Sequence, residues 1–251
     1  MTALRAVFWD VDGTLADTEM EGHRPAFNQA FRDLGLPFHW NQELYSELLS
    51  IAGGIPRVVI YAKDQGISLT ERQLNRLRDV KREHYFSRVR EGHVPWRPGV
   101  VRLVNELHHH DVQQWIVTSS GAPSVQALLD QAKGTLPMFD GVVTSDDVAT
   151  GKPSPDGYRL ALKRSGCAPS CGLAMEDSAV GLKAATAAGL PCLLTPSPWD
   201  RELGETSHLA TAVLNHLGDQ NNPSRLQAGP PCLDGMVTLN YMQSLMAHSC
   251  P

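Results

Sequence analysis

Long apolar runs are missing from this chain: nothing in it approaches the roughly 20 consecutive residues of a membrane-spanning helix. Positive charge is scarce as well. Lys and Arg number 22 against 27 Asp and Glu, a formal net charge of −5. That balance argues against a broad surface for nucleic acid or anionic lipid, so a phosphate would need a local positive pocket. Cysteine is sparse, odd in number and gathered late: Cys167, Cys171, Cys192, Cys232 and Cys250. Such a set does not read as a secreted disulfide framework. Cys167-x3-Cys171 has no second Cys/His pair beside it and is read as loop cysteines, not half of a zinc site. No internal repeat is evident. Met1 to Arg5 run straight into an apolar segment without a signal-like leader, and a cytoplasmic monomer is expected.

What is present is ordinary globular composition: 251 residues, 42% hydrophobic and 20% charged. That suits one large domain, or one domain carrying an insertion. Within it, the apolar run Ala6 to Trp9 meets Asp10-Val11-Asp12-Gly13-Thr14-Leu15. A buried strand ending in this turn leaves Asp10 and Asp12 at its carboxyl tip, where open α/β sheets bind ligands. A calcium loop is excluded, because the EF-hand pattern needs an acidic residue or Asn at Thr14 and Gly at Leu15.

Residues 17–95 read as almost purely helical. Ala26, Phe27, Ala30, Phe31 and Leu34 recur at helical spacing between Pro25 and Gly35. Leu44, Tyr45, Leu48 and Leu49 form a second stripe that Gly53-Gly54 breaks, and Val58 to Ala62 a short third helix. Thr70-x-x-Gln73 is a capping box opening a long fourth helix. Four helices with no strand predict a small inserted bundle.

Pro95, Pro98 and Gly99 mark the return, and helix and strand then alternate. Strands are predicted over 114–117, 141–144, 173–175 and 191–195, with helices over 100–107, 124–133 and 156–165 and an Ala-rich helix capped by Ser178. His108-His109-His110 reads as a solvated helix end favoured by the helix dipole. This alternation implies a doubly wound parallel sheet: an α/β core over residues 1–16 and 96–218, interrupted by the helical segment 17–95. Residues 219–251 read as a linker and tail, Pro/Gly-rich to Pro231, with a last short helix over 236–246.

Four features fall at predicted strand tips: Asp10 with Asp12, Ser119, Lys152 on a following loop, and Glu176 with Asp177. Neighbouring strands would bring them to one crevice. Asp10, Asp177 and a backbone carbonyl are hard oxygen ligands suited to Mg2+. Lys152 supplies positive charge and Ser119 a hydroxyl, while Ser120 and the backbone N–H groups near the next helix start complete an anion cradle. A cation cage beside an anion cradle is what phosphoryl transfer needs. Asp10 is the expected nucleophile, forming an aspartyl phosphate. Asp12 is the expected general acid, then general base.

These residues carry a resemblance. Asp10-Val11-Asp12-Gly13-Thr14-Leu15, the Ser119 tip, Lys152-Pro153-Ser154-Pro155 and Glu176-Asp177-Ser178-x-x-Gly181 resemble the four motifs of the haloacid dehalogenase superfamily. The helical insertion looks like its C1 cap. Glu19, His23, Tyr45-x-x-Leu48-Leu49 and Gly53-Gly54 are similar to the CbbY-type branch, related to the β-phosphoglucomutases. The resemblance spans residues 4–200 and implies a Rossmann-like core and Mg2+ held by Asp10, the Asp12 carbonyl and Asp177, with Glu176 close by. CbbY-type proteins dephosphorylate xylulose 1,5-bisphosphate, an inhibitor of the Calvin-cycle enzyme Rubisco. The resemblance therefore implies a small phosphosugar substrate, with Glu19, His23, Gly53 and Gly54 placed against the sugar.

Three departures stand out. Ile55-Pro56-Arg57 follows the Gly-Gly pair where the branch commonly has Lys, which makes Arg57 the candidate for a distal phosphate. One extra residue separates Glu19 from His23. Trp9 replaces the usual Phe, read as a packing change. A sugar-phosphate phosphatase is the first reading. A phosphosugar mutase, or a phosphatase for another small phosphosugar, is the alternative. A non-catalytic phosphosugar-binding regulator is disfavoured because Asp10 and its partners are all present.

Overall fold

Strand β1 (Ala6–Trp9) is buried at every position, as a central strand covered on both faces must be. It pairs in parallel with β2 (Gln113–Val117) on one side and β4 (Gly172–Glu176) on the other. β3 (Gly141–Val143) extends the sheet beyond β2. Beyond β4 lie β5 (Cys192–Leu194), β6 (Ala212–Leu214) and β7 (Leu226–Ala228). The strand order is β3-β2-β1-β4-β5-β6-β7, with β7 alone antiparallel. The computed structural model describes residues 4–51, 53–199 and 204–248; residues 1–3 and Cys250 lie outside the described residues.

The chain divides into two compact units, 1–16 with 96–251, and 17–95. The second holds α1 (Arg24–Asp33), α2 (Gln42–Leu48), α3 (Gly54–Asp64) and α4 (Glu71–Arg90). A π-helical turn, Glu19–His23, leads into α1. The Thr70–Gln73 capping box forms, with each side chain reaching the other's backbone N–H. Phe27, Phe31 and Trp40 pack their rings within 5.8 Å of one another at the centre of this unit. None of the described helices is long and apolar enough to cross a membrane.

The core unit adds α5 (Val100–His109), α6 (Ala122–Ala132), α7 (Asp156–Ser165) and α8 (Ala179–Ala187) between the strands. Phe8, Val117, Tyr158, Ala174, Leu182 and Leu194 share one buried cluster. Burying each large apolar side chain there contributes roughly 1.5–3 kcal/mol to holding strands and helices together.

Two sequence expectations are corrected. Trp9 is more than a packing change: its buried Nε1 donates to Gln114 Oε1 at 3.2 Å, and Gln114 Nε2 donates to Val104 O at 3.0 Å. An indole N–H buried in a sheet needs an acceptor, and β2 supplies it. The segment after Asp219 is not a loose linker. β7 pairs with β6, and α9 (Leu239–His248) buries Met242 and Leu245 completely. The composition misled because each element is short and its Pro/Gly-rich joints dominate the local average.

Candidate active site

The strand register carries Asp10, Thr118 and Glu176 to one edge of the sheet. Trp9 lies opposite Ile116 on one neighbour and Met175 on the other, and the Asp10 N–H continues the ladder to Met175 O at 3.0 Å. Asp10 is 6% exposed and Glu176 1%. The Lys152 ammonium sits between them, donating to Asp10 Oδ1 and to Glu176 Oε1, each at 2.6 Å. Tyr158 on α7 donates its hydroxyl to the same Glu176 oxygen at 2.5 Å. Ser120 Oγ donates to Asp12 Oδ2 at 2.5 Å. Ser119 is exposed just beyond the tip of β2.

Two glycines let the acids approach the backbone. Gly13 has φ +88°, and a Cβ there would stand 2.0 Å from Asp177 Oδ2. A Cβ on Gly181, in the first turn of α8, would stand 1.8 Å from Glu176 Oε2. Only bare backbone fits at either place.

Behind this group lies Arg97, 8% exposed. Its guanidinium donates to the carbonyls of Gly13, Thr195 (2.6 Å), Pro196 (3.1 Å) and Asn215 (3.0 Å). It thereby ties the loop after Asp12 to the ends of β5 and β6.

The electrostatics are unbalanced. Burial pushes the Asp10 carboxyl up to about 7; Lys152 pulls it down, while Glu176 and Asp12 push it further up. Burial, with Asp10 and Glu176, also raises Asp177 well above the usual carboxylate range, against Arg97 and Lys152. Burial opposes the Lys152 charge, yet Asp10 and Glu176 outweigh it and raise its pKa, so Lys152 is an ammonium at any working pH. Ligand oxygens of Asp10, Glu176 and Asp177 lie within 4.8 Å of one another. Glu176 Oε2 and Thr14 Oγ1 are buried with no hydrogen-bond partner among the described residues. Converging hard oxygens, one of them orphaned, and carboxyls driven toward neutrality fit a divalent cation of the Mg2+ kind.

The residues expected in the helical segment form their own groups. Tyr45 OH donates to Glu19 Oε2 at 2.5 Å and accepts from Arg57 Nη1 at 2.9 Å. Arg57 is 5% exposed and also donates to Leu48 O and Ile51 O, so its guanidinium is engaged with the end of α2. His23 Nδ1 meets Lys81 Nζ at 2.9 Å, and its ring lies 4.3 Å from that of Tyr85. Burial, with Lys81 and Arg57 nearby, holds His23 well below its ordinary pKa. Gly53 precedes α3 with φ +87°, and Gly54 opens it against the Phe27 ring.

Sequence reasoning missed Arg97, Tyr158 and Lys81 as site residues. Arg97 lies inside the Pro95–Gly99 punctuation, and Tyr158 and Lys81 lie inside helices whose pattern marks no partner for a phenol or an ammonium.

Residues 4–189 match the haloacid dehalogenase-like hydrolase family. The chain is 37% identical over 228 residues to the plasmid-borne protein CbbY of Cupriavidus necator, covering 88% of each. It is 37% identical over 200 residues to CbbY of Cereibacter sphaeroides, covering 79% of this chain and 86% of that protein. Among solved structures, CbbY from Rhodobacter sphaeroides in complex with phosphate aligns with a TM-score of 0.73 at 35% identity, covering 85% of this chain and 94% of that one. A variant of the same protein in complex with xylulose 1,5-bisphosphate aligns with a TM-score of 0.73 at 33% identity, covering 86% and 96%.

Proposed function

The chain belongs to the haloacid dehalogenase-like hydrolase family, and from that premise we propose that it is a Mg2+-dependent sugar-phosphate phosphatase whose substrate is xylulose 1,5-bisphosphate. The observation that carries this reading is the Lys152 ammonium held at 2.6 Å from both Asp10 and Glu176, inside a buried group of acids. A cation there lets an anionic phosphate approach an anionic nucleophile. The substrate assignment is supported by the relatives, since a CbbY structure contains that bisphosphate.

In this reading Lys152 restrains one Asp10 oxygen and the other attacks phosphorus. An Asp10 O–P bond forms as the sugar O–P bond breaks. The Asp12 carboxylic acid gives its proton to the departing sugar oxygen. Asp12, now a carboxylate oriented by Ser120, takes a proton from water as that water attacks phosphorus and frees Asp10. Ser119 and the N–H groups that open α6 receive the phosphate oxygens. Asp10, the Asp12 carbonyl and Asp177, with Glu176 beside them, would hold Mg2+, which neutralises charge on the transferring phosphoryl group. Glu19, His23, Gly53, Gly54 and Arg57 are proposed to select the sugar.

A phosphate-release screen over sugar mono- and bisphosphates in Mg2+ tests the proposal. Fastest release from xylulose 1,5-bisphosphate is expected. Isomer interconversion without net phosphate release, on adding a catalytic bisphosphate, would replace the phosphatase with a mutase.

A further inference from the structure

We propose that Tyr158 is the positioning residue for Glu176 and, through it, for the Lys152 ammonium that faces Asp10; the inference rests on the functional reading above. Tyr158 is fully buried in the cluster beneath the sheet. A phenylalanine would fill nearly the same volume, so packing explains the ring and not the hydroxyl. That hydroxyl reaches Glu176 Oε1 at 2.5 Å, the same oxygen that accepts from Lys152 at 2.6 Å. One oxygen of the carboxylate thus carries both donors, and the other, Oε2, is buried with none among the described residues.

The division is enforced from three directions. Bare backbone at Gly181 closes one side of Glu176. Lys152 holds the second, and the phenol the third. Tilting the carboxylate so that no oxygen stands at the point shared by Lys152 and Tyr158 would strand the Tyr158 hydroxyl in an apolar cluster. The ring contributes as well, because the Lys152 Nζ lies 5.3 Å from its centroid. Tyr158 therefore fixes the orientation of the Glu176 carboxylate, where Lys152 stands between Glu176 and Asp10, and that the second carboxylate oxygen is left for a cation or its water.

The test is Tyr158→Phe, alone and combined with Glu176→Ala. Mg2+ affinity is read by calorimetry on substrate-free protein, and turnover with p-nitrophenyl phosphate. Partners of this kind behind a metal site affect affinity or rate by about 10–100-fold. Tyr158→Phe is expected to lower both Mg2+ affinity and kcat by about tenfold or more, with KM nearly unchanged. In the Glu176→Ala background, which removes the acceptor, it should change neither. Wild-type values in Tyr158→Phe, or an equal loss in both backgrounds as core packing would produce, overturn the inference. The same cycle run by urea unfolding on metal-free protein reads the Tyr158–Glu176 coupling without any assumption about the reaction, and additivity there also overturns it. A wild-type protein that shows this coupling but neither binds Mg2+ nor releases phosphate would defeat the functional reading alone.

Discussion

The crevice at the tips of β1 and β4 and the half-buried clasp that fastens the C-terminal segment to α5 both gather charge, and they treat it in opposite ways. In the clasp, Arg102 pairs with Glu106 at 3.0 Å and donates to Gly218 O and Val237 O. Glu106 accepts the N–H of Leu239 at the start of α9, and Asp219 accepts the N–H of Gly99. Each of these charges meets a complementary partner. In the crevice, Asp10, Asp12, Glu176 and Asp177 gather around Lys152 and Arg97, and Glu176 Oε2 has no partner among the described residues. A balanced cluster holds two elements together. An unbalanced one carries unfavourable desolvation that a proton or a bound cation can relieve, and perturbed groups of that kind mark functional sites.

Breaking the unbalanced side should abolish chemistry while leaving the fold. Asp10→Asn is expected to reduce phosphate release to background, because an amide does not attack phosphorus; measurable turnover in that variant would remove the nucleophile assignment. Gly181→Ala adds no charge but drives a methyl into the Glu176 carboxylate. Its Mg2+ affinity and kcat should each fall by roughly 10–100-fold, and normal calorimetric binding would show that Glu176 has room to move.

The stored imbalance should also appear as a pH dependence. Asp10 titrates near 7 in the folded protein against an ordinary 3.8, so the folded state keeps its proton longer than the unfolded state does. That contribution to stability is complete below the ordinary value and is lost as pH rises through about 7. Metal-free protein should therefore be less stable at pH 8 than at pH 5, by on the order of 2–4 kcal/mol from this group, and Mg2+ should narrow the gap. Urea unfolding with and without chelator measures it, and a metal-free protein more stable at pH 8 would contradict the assigned direction.

The balanced side should respond in the opposite sense. Arg102→Met is expected to lower stability by about 1–3 kcal/mol with kcat unchanged. A loss of kcat without loss of stability would mean that the clasp communicates with the crevice.

Legibility followed locality. The alternating strands and helices, the Thr70–Gln73 box and the Ser178 cap could be read because each signal lies within a few residues of its effect. Trp9 was misread because its acceptor, Gln114, is 105 residues away. Arg97 went unseen because its carbonyl partners at Thr195 and Asn215 lie 98 and 118 residues on. β7 escaped notice because three exposed residues make no hydrophobic pattern.

By itself the sequence determined which reactive groups exist and that they stand at the ends of strands in a wound α/β sheet, because turn chemistry and hydrophobic period are local properties. Only the tertiary structure decided how those groups share protons, which Glu176 oxygen is taken and where Arg97 reaches. Those depend on burial and on distances of a few ångströms between segments far apart in the chain, and the strength of a charge interaction follows from both.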